Sequence, residues 1–349
     1  MKLAKPTSIH GVDLFCGAGG LTYGLQSAGI RIEAGIDLDP ACEFPFVTNN
    51  GSLFIEADIR DVRSHDVSAL YPQGSIRLLA GCAPCRPFSA FRRGMVNSTS
   101  KDWGLLREFG RLVAEVGPEL VTMENVAGLG SKPMFRAFVA MLRMHGYDVD
   151  YRSVNCARLG LPQQRRRLVL IASLLGSPKV PTGDAAHSLQ TVRSAIGMLP
   201  PLAAGESDSD DPLHRARSAS PVNLRRLRAS KPGGTWNDWP GELRAPCHRK
   251  VSGASYRSVY ARMSWDEPSP TITTQAYSFG SGRFGHPVQD RSITLREAAL
   301  LQSFPRAYRF IPSGQVPQFS TVGRLIGNAV PPLLASAIGK ELVRCAEAS

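Results

Sequence analysis

Residues 9–28 place a short apolar strand, a glycine-rich turn and an amphipathic helix in immediate succession. The strand covers residues 9–15, the turn reads Cys16-Gly17-Ala18-Gly19-Gly20, and the helix is predicted over residues 21–28. Glycine lets the backbone approach a ligand closely at a helix N-terminus, as in nucleotide-binding crossovers. A tight structural turn explains the glycines equally well. The stretch therefore predicts an α/β fold and marks one candidate nucleotide site.

The next two predicted strands lead into acidic residues. The strand over residues 32–36 ends at Asp37, 20 residues beyond Gly17. Folds of this kind place a carboxylate at that spacing on ribose hydroxyls, so the spacing favours a bound nucleotide over a purely structural turn. A third short strand is predicted to end near Asp58-Ile59, which would lie beside an adenine ring.

Strands and amphipathic helices continue to alternate up to about residue 173, and two of the strands lead to reactive side chains. The strand over residues 76–80 leads to Cys85, and the strand over residues 120–123 leads to Glu124. The carboxyl ends of parallel strands lie at one edge of a sheet, where ligands bind. We therefore expect Cys85 and Glu124 to converge on one substrate. Further helices and strands are predicted over residues 105–116, 134–142, 149–155 and 168–172.

Cys85 stands between two prolines in the stretch Gly81-Cys82-Ala83-Pro84-Cys85-Arg86-Pro87-Phe88-Ser89. This placement suits an attacking thiol, although most cysteines are small buried residues and that interpretation stays open. Cys82 and Cys85 also form a CxxC pattern, which is typical of a redox pair or of half a zinc site. The second pair of ligands that a zinc site needs is missing, so no metal is expected.

Composition restricts the class of protein and of partner. The chain has 349 residues, 43% of them apolar and 20% charged, with no apolar run near 18 residues and no convincing signal peptide. We expect a soluble cytoplasmic protein with no membrane segment. Seven scattered cysteines argue against a secreted disulfide framework. The formal net charge of +12 favours a polyanionic partner, above all nucleic acid.

The basic charge is concentrated in the second half of the chain. Residues 213–262 contain eleven Lys or Arg and two acids, which is +9 of the total of +12. Aromatic residues are interleaved with these arginines, which is typical of a surface that binds phosphates and stacks on bases; a small aromatic core is the alternative. An acidic stretch over residues 206–211 is predicted to be an exposed loop. The aromatic residues in question are Trp236, Trp239, Tyr256, Tyr260 and Trp265.

The order of these segments resembles the cytosine-5 DNA methyltransferases. The matching motifs cover residues 12–175 and 293–338 in the family's order, and their combination is highly specific. One departure is Arg86, where the family commonly has glutamine. The motifs are Asp13-Leu14-Phe15-Cys16-Gly17-Ala18-Gly19-Gly20, Pro84-Cys85, Glu124-Asn125-Val126, Gln163-x-Arg165-x-Arg167, Arg296-Glu297-Ala298 with Gln302-Ser303-Phe304-Pro305, and Gly327-Asn328-Ala329-Val330-Pro331.

The resemblance implies a fold, a domain organisation and an activity. The fold would be a Rossmann-like α/β domain that binds S-adenosylmethionine, formed by residues 1–176 and 290–349, with a mostly irregular or β target-recognition domain inserted at residues 177–289. The activity would be methyl transfer from S-adenosylmethionine to C5 of a cytosine flipped out of a specific duplex DNA sequence, with S-adenosylhomocysteine as the product. Cys85 would add to C6, because cytosine C5 is a poor nucleophile until a thiolate has attacked the ring.

The resemblance also assigns roles to individual residues. The catalytic set would be Cys85, Glu124, Asn125, Arg165 and Arg167. The cofactor would be bound by Phe15, Gly17, Ala18, Gly19, Gly20, Asp37, Leu38, Asp58, Ile59, Leu106, Asn328 and Ala329. The substrate would be bound by Pro84, Ser89, Arg92, Arg93 and Gln163, and the loop over residues 86–101 would close over the flipped base.

These motifs imply a bacterial, nucleoid-associated modification enzyme that works as a monomer on double-stranded DNA. A restriction endonuclease acting on the same site would be its partner, with no stable complex required. Three alternatives remain. One is methylation of transfer RNA, which that branch of the family performs with a shortened insertion. The others are a nucleic-acid-binding module with a vestigial cofactor pocket, and a nicotinamide oxidoreductase, which would share the glycine turn and the acidic residue that follows it.

Overall fold

The computed structural model describes residues 8–84, 103–184, 189–250 and 258–348. The described residues form two compact units, and the chain passes between them several times. The first unit takes its residues from Met1–Leu159, Arg166–Asp184 and Ala329–Ser349, and the second from Gly160–Arg165 and Ala185–Asn328. Within the described ranges, no helix is long and apolar enough to cross a membrane.

The first unit is a seven-stranded sheet with helices, as the alternating pattern predicts. Its strands are β1 (Ile9–Leu14), β2 (Arg31–Asp37), β3 (Leu53–Glu56), β4 (Ile76–Gly81), β5 (Leu120–Val126), β6 (Asp148–Asn155) and β7 (Arg166–Ser173). Its helices are α1 (Gly20–Ser27), α2 (Glu43–Asn50), α3 (Ser64–Ser68), α4 (Trp103–Val116) and α5 (Pro133–Met144), and the chain returns to this unit for α10 (Pro332–Glu347).

The order of the strands determines where a ligand can bind. The sheet runs β3-β2-β1-β4-β5-β7-β6. The pairs from β3 to β5 are parallel, and β7 is antiparallel to both β5 and β6. All six residues of β1 are buried, as in a strand covered on both faces. The chain passes from β1 to β2 and β3 on one side and then crosses to β4 on the other side of β1, so the carboxyl ends of β1 and β4 flank a topological switch point.

Apolar packing holds the helices on this sheet. The side chains of α4 and α5 join the main core, where the rings of Phe109 and Phe138 stack with centroids 5.6 Å apart. On α1, a Cβ at Gly24 would collide with the Pro332 carbonyl and with Ala335 of α10. Glycine at this position therefore lets α10 pack closely against the helix that follows the glycine-rich turn.

The second unit is largely irregular, as the resemblance implies for an inserted domain. Among its described residues, β structure is limited to isolated bridges such as the one between Arg262 and Gly285. Its helices are α6 (Val192–Ile196), α7 (Pro221–Ala229), α8 (Leu295–Leu301) and α9 (Phe319–Asn328).

Two of the aromatic residues of the basic segment form a small core, so the prediction that they make a base-stacking surface is wrong for Trp236 and Trp239. Trp236 and Trp239 are 2% and 3% exposed, in a cluster with Leu227, Leu243 and Phe279. Burial of these large rings is the main hydrophobic contribution available to an irregular segment. Tyr260 packs against the same cluster, and Tyr256 lies outside the described residues. Trp265 is partly exposed and lies outside this cluster.

Two further details differ from the predicted pattern. β3 ends at Glu56, so Asp58 and Ile59 lie in the loop that follows it. In the acidic stretch, Asp211 is not free in solvent but forms an ion pair with Arg296 over 2.5 Å.

The C-terminal segment, whose sequence favours helix over residues 322–343 around the motif at residues 327–332, is helical on both sides of that motif. The structure has α9 and α10 there, with a break before Pro331 and Pro332, since proline has no N–H to continue a helix. Residues 290–328 pack in the second unit, and the chain returns to the first at Ala329. The division into catalytic and target-recognition domains concerns function and stays a prediction.

Candidate active site

The glycine-rich turn follows β1, and its backbone adopts conformations that favour glycine. Gly17 and Gly19 have φ angles of 54° and 85°, and Phe15 has a φ angle of 59°. The Gly17 N–H donates a hydrogen bond to Asp37 Oδ2 over 2.9 Å. The turn and the end of β2, which the sequence spacing linked, are therefore in contact.

The residues of this turn fit S-adenosylmethionine. No side chain caps the N-terminus of α1, so its first N–H groups suit the carboxylate of an amino acid. A Cβ built on Gly17 would meet no described atom within 4 Å, which leaves space over the turn. Beside it, the Asp37 carboxylate accepts N–H bonds from Gly17 and Asp39 and keeps lone pairs for ribose hydroxyls.

Apolar side chains suited to a purine ring lie in the same unit. Ile59 and Leu106 are buried in one cluster, and Phe15 packs against it. Leu38, which follows Asp37, is 61% exposed. All four residues are predicted cofactor contacts. Phe15, Ile59 and Leu106 belong to one apolar cluster, and Leu38 does not.

Asp58 carries a charge that a neighbouring arginine stabilises. Its Oδ1 accepts hydrogen bonds from the backbone N–H and the Nε of Arg60, over 3.0 and 2.9 Å. The backbone bond, followed by the side-chain bond, lowers the pKa of Asp58 below its ordinary value. Asp58 thus remains an ionised acceptor at the edge of the candidate cofactor site.

Asp13 is a buried carboxyl group beneath the glycine turn that the motif included without assigning it a role. Thr22 Oγ1 donates to its Oδ2 over 2.7 Å, while Oδ1 has no hydrogen-bond partner among the described residues. Burial raises the pKa of Asp13 to about 7, Thr22 opposes the shift, and the charge of Asp37 adds to it. Asp13 is fully buried on β1. The sequence held no signal that the pKa of this carboxyl group would be shifted.

Glu124 lies at the carboxyl end of the sheet in a polar pair of contacts. It is 3% exposed, its Oε1 is 3.0 Å from Arg167 Nε, and its Oε2 accepts a hydrogen bond from Cys82 Sγ over 3.1 Å. The distance to Arg167 is that of an ion pair, yet no well-aligned hydrogen bond reaches Oε1 from the described residues. Oε1 is therefore a buried acceptor atom with capacity for a ligand.

Asn125 joins the ends of two neighbouring strands. Its Nδ2 donates to the Ala83 carbonyl over 2.9 Å, and its Oδ1 accepts the N–H of Val126 over 2.8 Å. It thus fixes the backbone that leads into Pro84, next to Glu124. The predicted nucleophile Cys85 and the predicted substrate contacts Ser89, Arg92 and Arg93 lie outside the described residues.

The first two polar residues of the Gln163-x-Arg165-x-Arg167 motif are buried in the second unit. Gln163 Nε2 donates to the Leu301 carbonyl and to Gln302, and its Oε1 accepts the Ile272 N–H. Its amide is therefore used by the fold itself.

Arg165 has a similar environment. Its guanidinium donates to the carbonyls of Ile272 and Gly327 over 3.1 and 3.4 Å, which connects the end of α9 to the segment around Ile272. Asn328 and Ala329 are the last two predicted cofactor residues. Asn328 is exposed at the end of α9, and Ala329 is buried in the first unit.

Comparison with known proteins identifies the family. The model of the C-5 cytosine-specific DNA methylases matches residues 9–344. The chain belongs to this family. It is 47% identical over 340 residues to the type II methylase M.HgiDII of Herpetosiphon aurantiacus, covering 96% of this chain and 95% of the relative. It is 30% identical to the type II methyltransferase M1.HphI of Haemophilus parahaemolyticus, over 97% and 87% of the two chains.

The fold of this methylase matches that of solved methyltransferases. A candidate DNA modification methyltransferase encoded within an E. coli prophage superposes with a TM-score of 0.73, at 23% identity over 97% of this chain and 99% of that one. The predicted fold class and the predicted enzyme class, DNA (cytosine-5)-methyltransferase, are confirmed. The family uses S-adenosylmethionine and acts on DNA.

Proposed function

We propose that this methylase transfers a methyl group to C5 of a cytosine flipped out of duplex DNA, through a covalent bond between Cys85 and C6. The observation that supports this most is Glu124. Its carboxylate is buried at the carboxyl end of β5, beside the end of β4 that leads to Cys85, and its Oε1 has no aligned donor among the described residues. A buried carboxylate oxygen that has an ion pair but no aligned hydrogen bond keeps capacity for a ligand.

The turn and its neighbours would hold S-adenosylmethionine. The N-terminus of α1 would take the carboxylate, Asp37 the ribose hydroxyls, and the apolar cluster of Phe15, Ile59 and Leu106 the adenine. When bound, the cofactor supplies an electrophilic methyl group on a sulfonium. Asp58, Leu38 and the segment at Asn328 and Ala329 would complete this site.

The residues of the chain would then activate the cytosine. The Cys85 thiolate forms a bond to C6, and the ring electrons shift toward C5 and N3. Glu124 enters this step in its protonated form and gives its proton to N3, which draws charge off the ring, and Arg167 balances the charge of the carboxylate that results. After C5 has been methylated, a base or water takes the C5 proton, and the electrons of that C–H bond restore the double bond as the Cys85 sulfur leaves C6. The N3 proton returns to Glu124 when the Cys85 sulfur leaves.

The other motif residues would position this machinery. Asn125 fixes the backbone before Pro84 through its bond to the Ala83 carbonyl. Gln163 and Arg165 donate hydrogen bonds to partners in the second unit, so their proposed roles are to hold the fold. Flipping costs a few kcal/mol of unstacking, which the pocket must offset. Residues 86–101, which the sequence predicts to close over the base, lie outside the described residues.

We propose that residues 177–289 read the DNA sequence. Exposed cations of this segment suit phosphate contacts, and the aromatic cluster behind them would serve as a rigid base. The exposed cations among the described residues of this segment are Lys179, Arg193, Arg217, Arg225, Arg228, Lys231, Arg249 and Lys250. The type II relatives support a role as the modification enzyme of a bacterial restriction-modification system. We propose in addition that the protein acts in the cytoplasm as a monomer, without a stable nuclease complex.

Covalent trapping tests this proposal. Wild-type protein is incubated with S-adenosylmethionine and a library of duplexes that contain 5-fluorocytosine, and a denaturing gel separates the adducts. We expect an adduct with DNA that Cys85→Ala abolishes, while Cys345→Ala, a buried cysteine on α10, retains it. An adduct with RNA alone would favour transfer RNA as the substrate. No adduct with either polymer would refute the covalent mechanism, and bisulfite sequencing of DNA from expressing cells would identify the target site.

A further inference from the structure

Cys82 directly follows β4, and it lies beside Glu124 on the parallel strand β5. The register of β4 and β5 pairs Gly81 with Met123, so the next residue of each strand lies side by side at the carboxyl edge. The Cys82 sulfur is 3.1 Å from Glu124 Oε2, in the geometry of an S–H donor. No family motif quoted above assigns this cysteine a role.

The contact identifies the form in which Cys82 exists. A thiol can donate to a carboxylate, whereas a thiolate at 3.1 Å would place two negative charges in contact. Cys82 is therefore placed as an S–H donor to Glu124 and not as an attacking sulfur. Of the two cysteines in the CxxC sequence, this leaves Cys85 for nucleophilic attack.

The contact also fixes the carboxylate. Oε2 is engaged by the thiol, while Oε1 lies 3.0 Å from Arg167 Nε and has no aligned donor among the described residues. Cys82 contacts one oxygen of the Glu124 carboxylate and Arg167 contacts the other, so the two contacts together define the orientation of the carboxylate. The oxygen that keeps acceptor capacity is then always the same one.

We propose that Cys82 is a positioning residue for Glu124: its S–H holds Oε2, so that Oε1 faces the cytosine in the catalytic step. This inference rests on the proposed function, in which Glu124 contacts the flipped base. Removal of the thiol lets the carboxylate rotate, which slows the chemical step and leaves the cofactor site, built on β1 and β2, unchanged.

The test compares Cys82→Ala, which removes the donor, with Cys82→Ser, which keeps a donor, in the full-length protein. Cys345→Ala is the control for loss of a buried sulfur. With saturating duplex DNA, Cys82→Ala should lower kcat about tenfold, or about 1.4 kcal/mol. The KM for S-adenosylmethionine should stay within about twofold, because the lost contact acts in the transition state. Cys82→Ser should recover most of the lost rate.

Three outcomes would overturn the inference: a Cys82→Ala kcat equal to that of the wild type, a rise in KM for the cofactor that matches the loss in kcat, or no recovery in Cys82→Ser. Adduct formation on duplex DNA containing 5-fluorocytosine is measured in parallel. If wild type forms no adduct, the proposed function fails. If wild type forms it and Cys82→Ala forms it at the same rate, this inference alone fails.

Discussion

Arg167 Nε lies 3.0 Å from Glu124 Oε1, and the two residues come from strands that run in opposite directions. β7 is antiparallel to β5, with Arg167 opposite Val126, so the beginning of β7 lies beside the end of β5. The single reversal of direction between these neighbours thus places a guanidinium at the edge where the parallel strands end. An ion pair this well shielded from water is strongly coupled, because the low dielectric of the interior strengthens it.

Removal of Arg167 should impair catalysis more than removal of its neighbour. Arg167→Leu leaves the buried Glu124 carboxylate without its counter-charge and without the contact that orients it. We expect the single-turnover methylation rate to fall on the order of 100-fold. Arg166→Ala is the matched control, since Arg166 is exposed on the same strand, and it should retain the wild-type rate. Equal rates for the two variants would show that the pair has no catalytic role.

Asp37 should control cofactor affinity. Its two oxygens accept N–H bonds from Gly17 and Asp39, and burial raises its pKa while those bonds oppose the shift. Asp37→Asn replaces one acceptor with a donor that faces a backbone N–H, so the turn loses a contact. The KM for S-adenosylmethionine should rise on the order of tenfold or more, with kcat little changed.

The control for Asp37 is Glu56→Gln. Glu56 lies opposite Asp37 on β3 and is exposed. The substitution therefore removes a carboxylate that neighbours Asp37 in the sheet. Its KM should match that of the wild type. A rise in KM for Glu56→Gln as large as that for Asp37→Asn would mean that general charge at this edge matters, and not the contact with Gly17. Isothermal titration with S-adenosylhomocysteine provides the direct measurement.

The first unit could be predicted closely because its signals are local. Apolar strands, glycine turns and the spacing from Gly17 to Asp37 each follow from backbone physics over short distances. Contacts between strands could not be predicted this way. The bond from Cys82 to Glu124 depends on the register of β4 and β5, and the pair of Glu124 and Arg167 depends on the antiparallel direction of β7. Both are properties of pairing that no single segment encodes.

Asp13 should make the stability of the protein depend on pH. Its pKa in the folded state is raised to about 7, while an unfolded aspartate titrates near 3.9. Between these values the folded chain holds a proton that the unfolded chain has released. This contribution to stability is complete below about pH 4 and is lost as the pH rises through about 7.

Urea unfolding of the wild type and Asp13→Asn measures this effect. The asparagine variant lacks the titration, so the free energy of unfolding of the wild type relative to it should fall by about 2 kcal/mol or more between about pH 5 and pH 8. Thr22→Val removes the hydroxyl whose hydrogen bond lowers the pKa of Asp13, and it should extend the loss of stability to higher pH. A difference between wild type and Asp13→Asn that does not change with pH would contradict the raised pKa.

The amino-acid composition of the second unit does not predict whether its aromatic residues are buried or exposed. Alternation of arginines with Trp236 and Trp239 is compatible with a base-stacking surface and with a core whose arginines lie over the rings. The structure has the second arrangement: Arg226 lies over Trp239, with its guanidinium carbon 5.8 Å from the ring centroid, and Arg244 lies over Trp236 at 6.0 Å. Burial of each ring depends on Leu227, Leu243 and Phe279, which are distant in sequence or interspersed with polar residues.

This arrangement separates residues that stabilise the second unit from residues that are free to contact DNA. Trp239→Ala removes a buried ring and its Nε1 hydrogen bond to Ser230 Oγ, and it should cost about 3–5 kcal/mol of stability. Arg225→Ala changes an exposed side chain of α7 and should leave the melting temperature unchanged. It should instead weaken binding to any duplex and reduce the slope of log K against log salt by about one. The measurement is fluorescence anisotropy over a salt series together with thermal unfolding. If Arg225→Ala bound duplex DNA with the wild-type salt slope, the exposed face of α7 would not be part of the DNA interface.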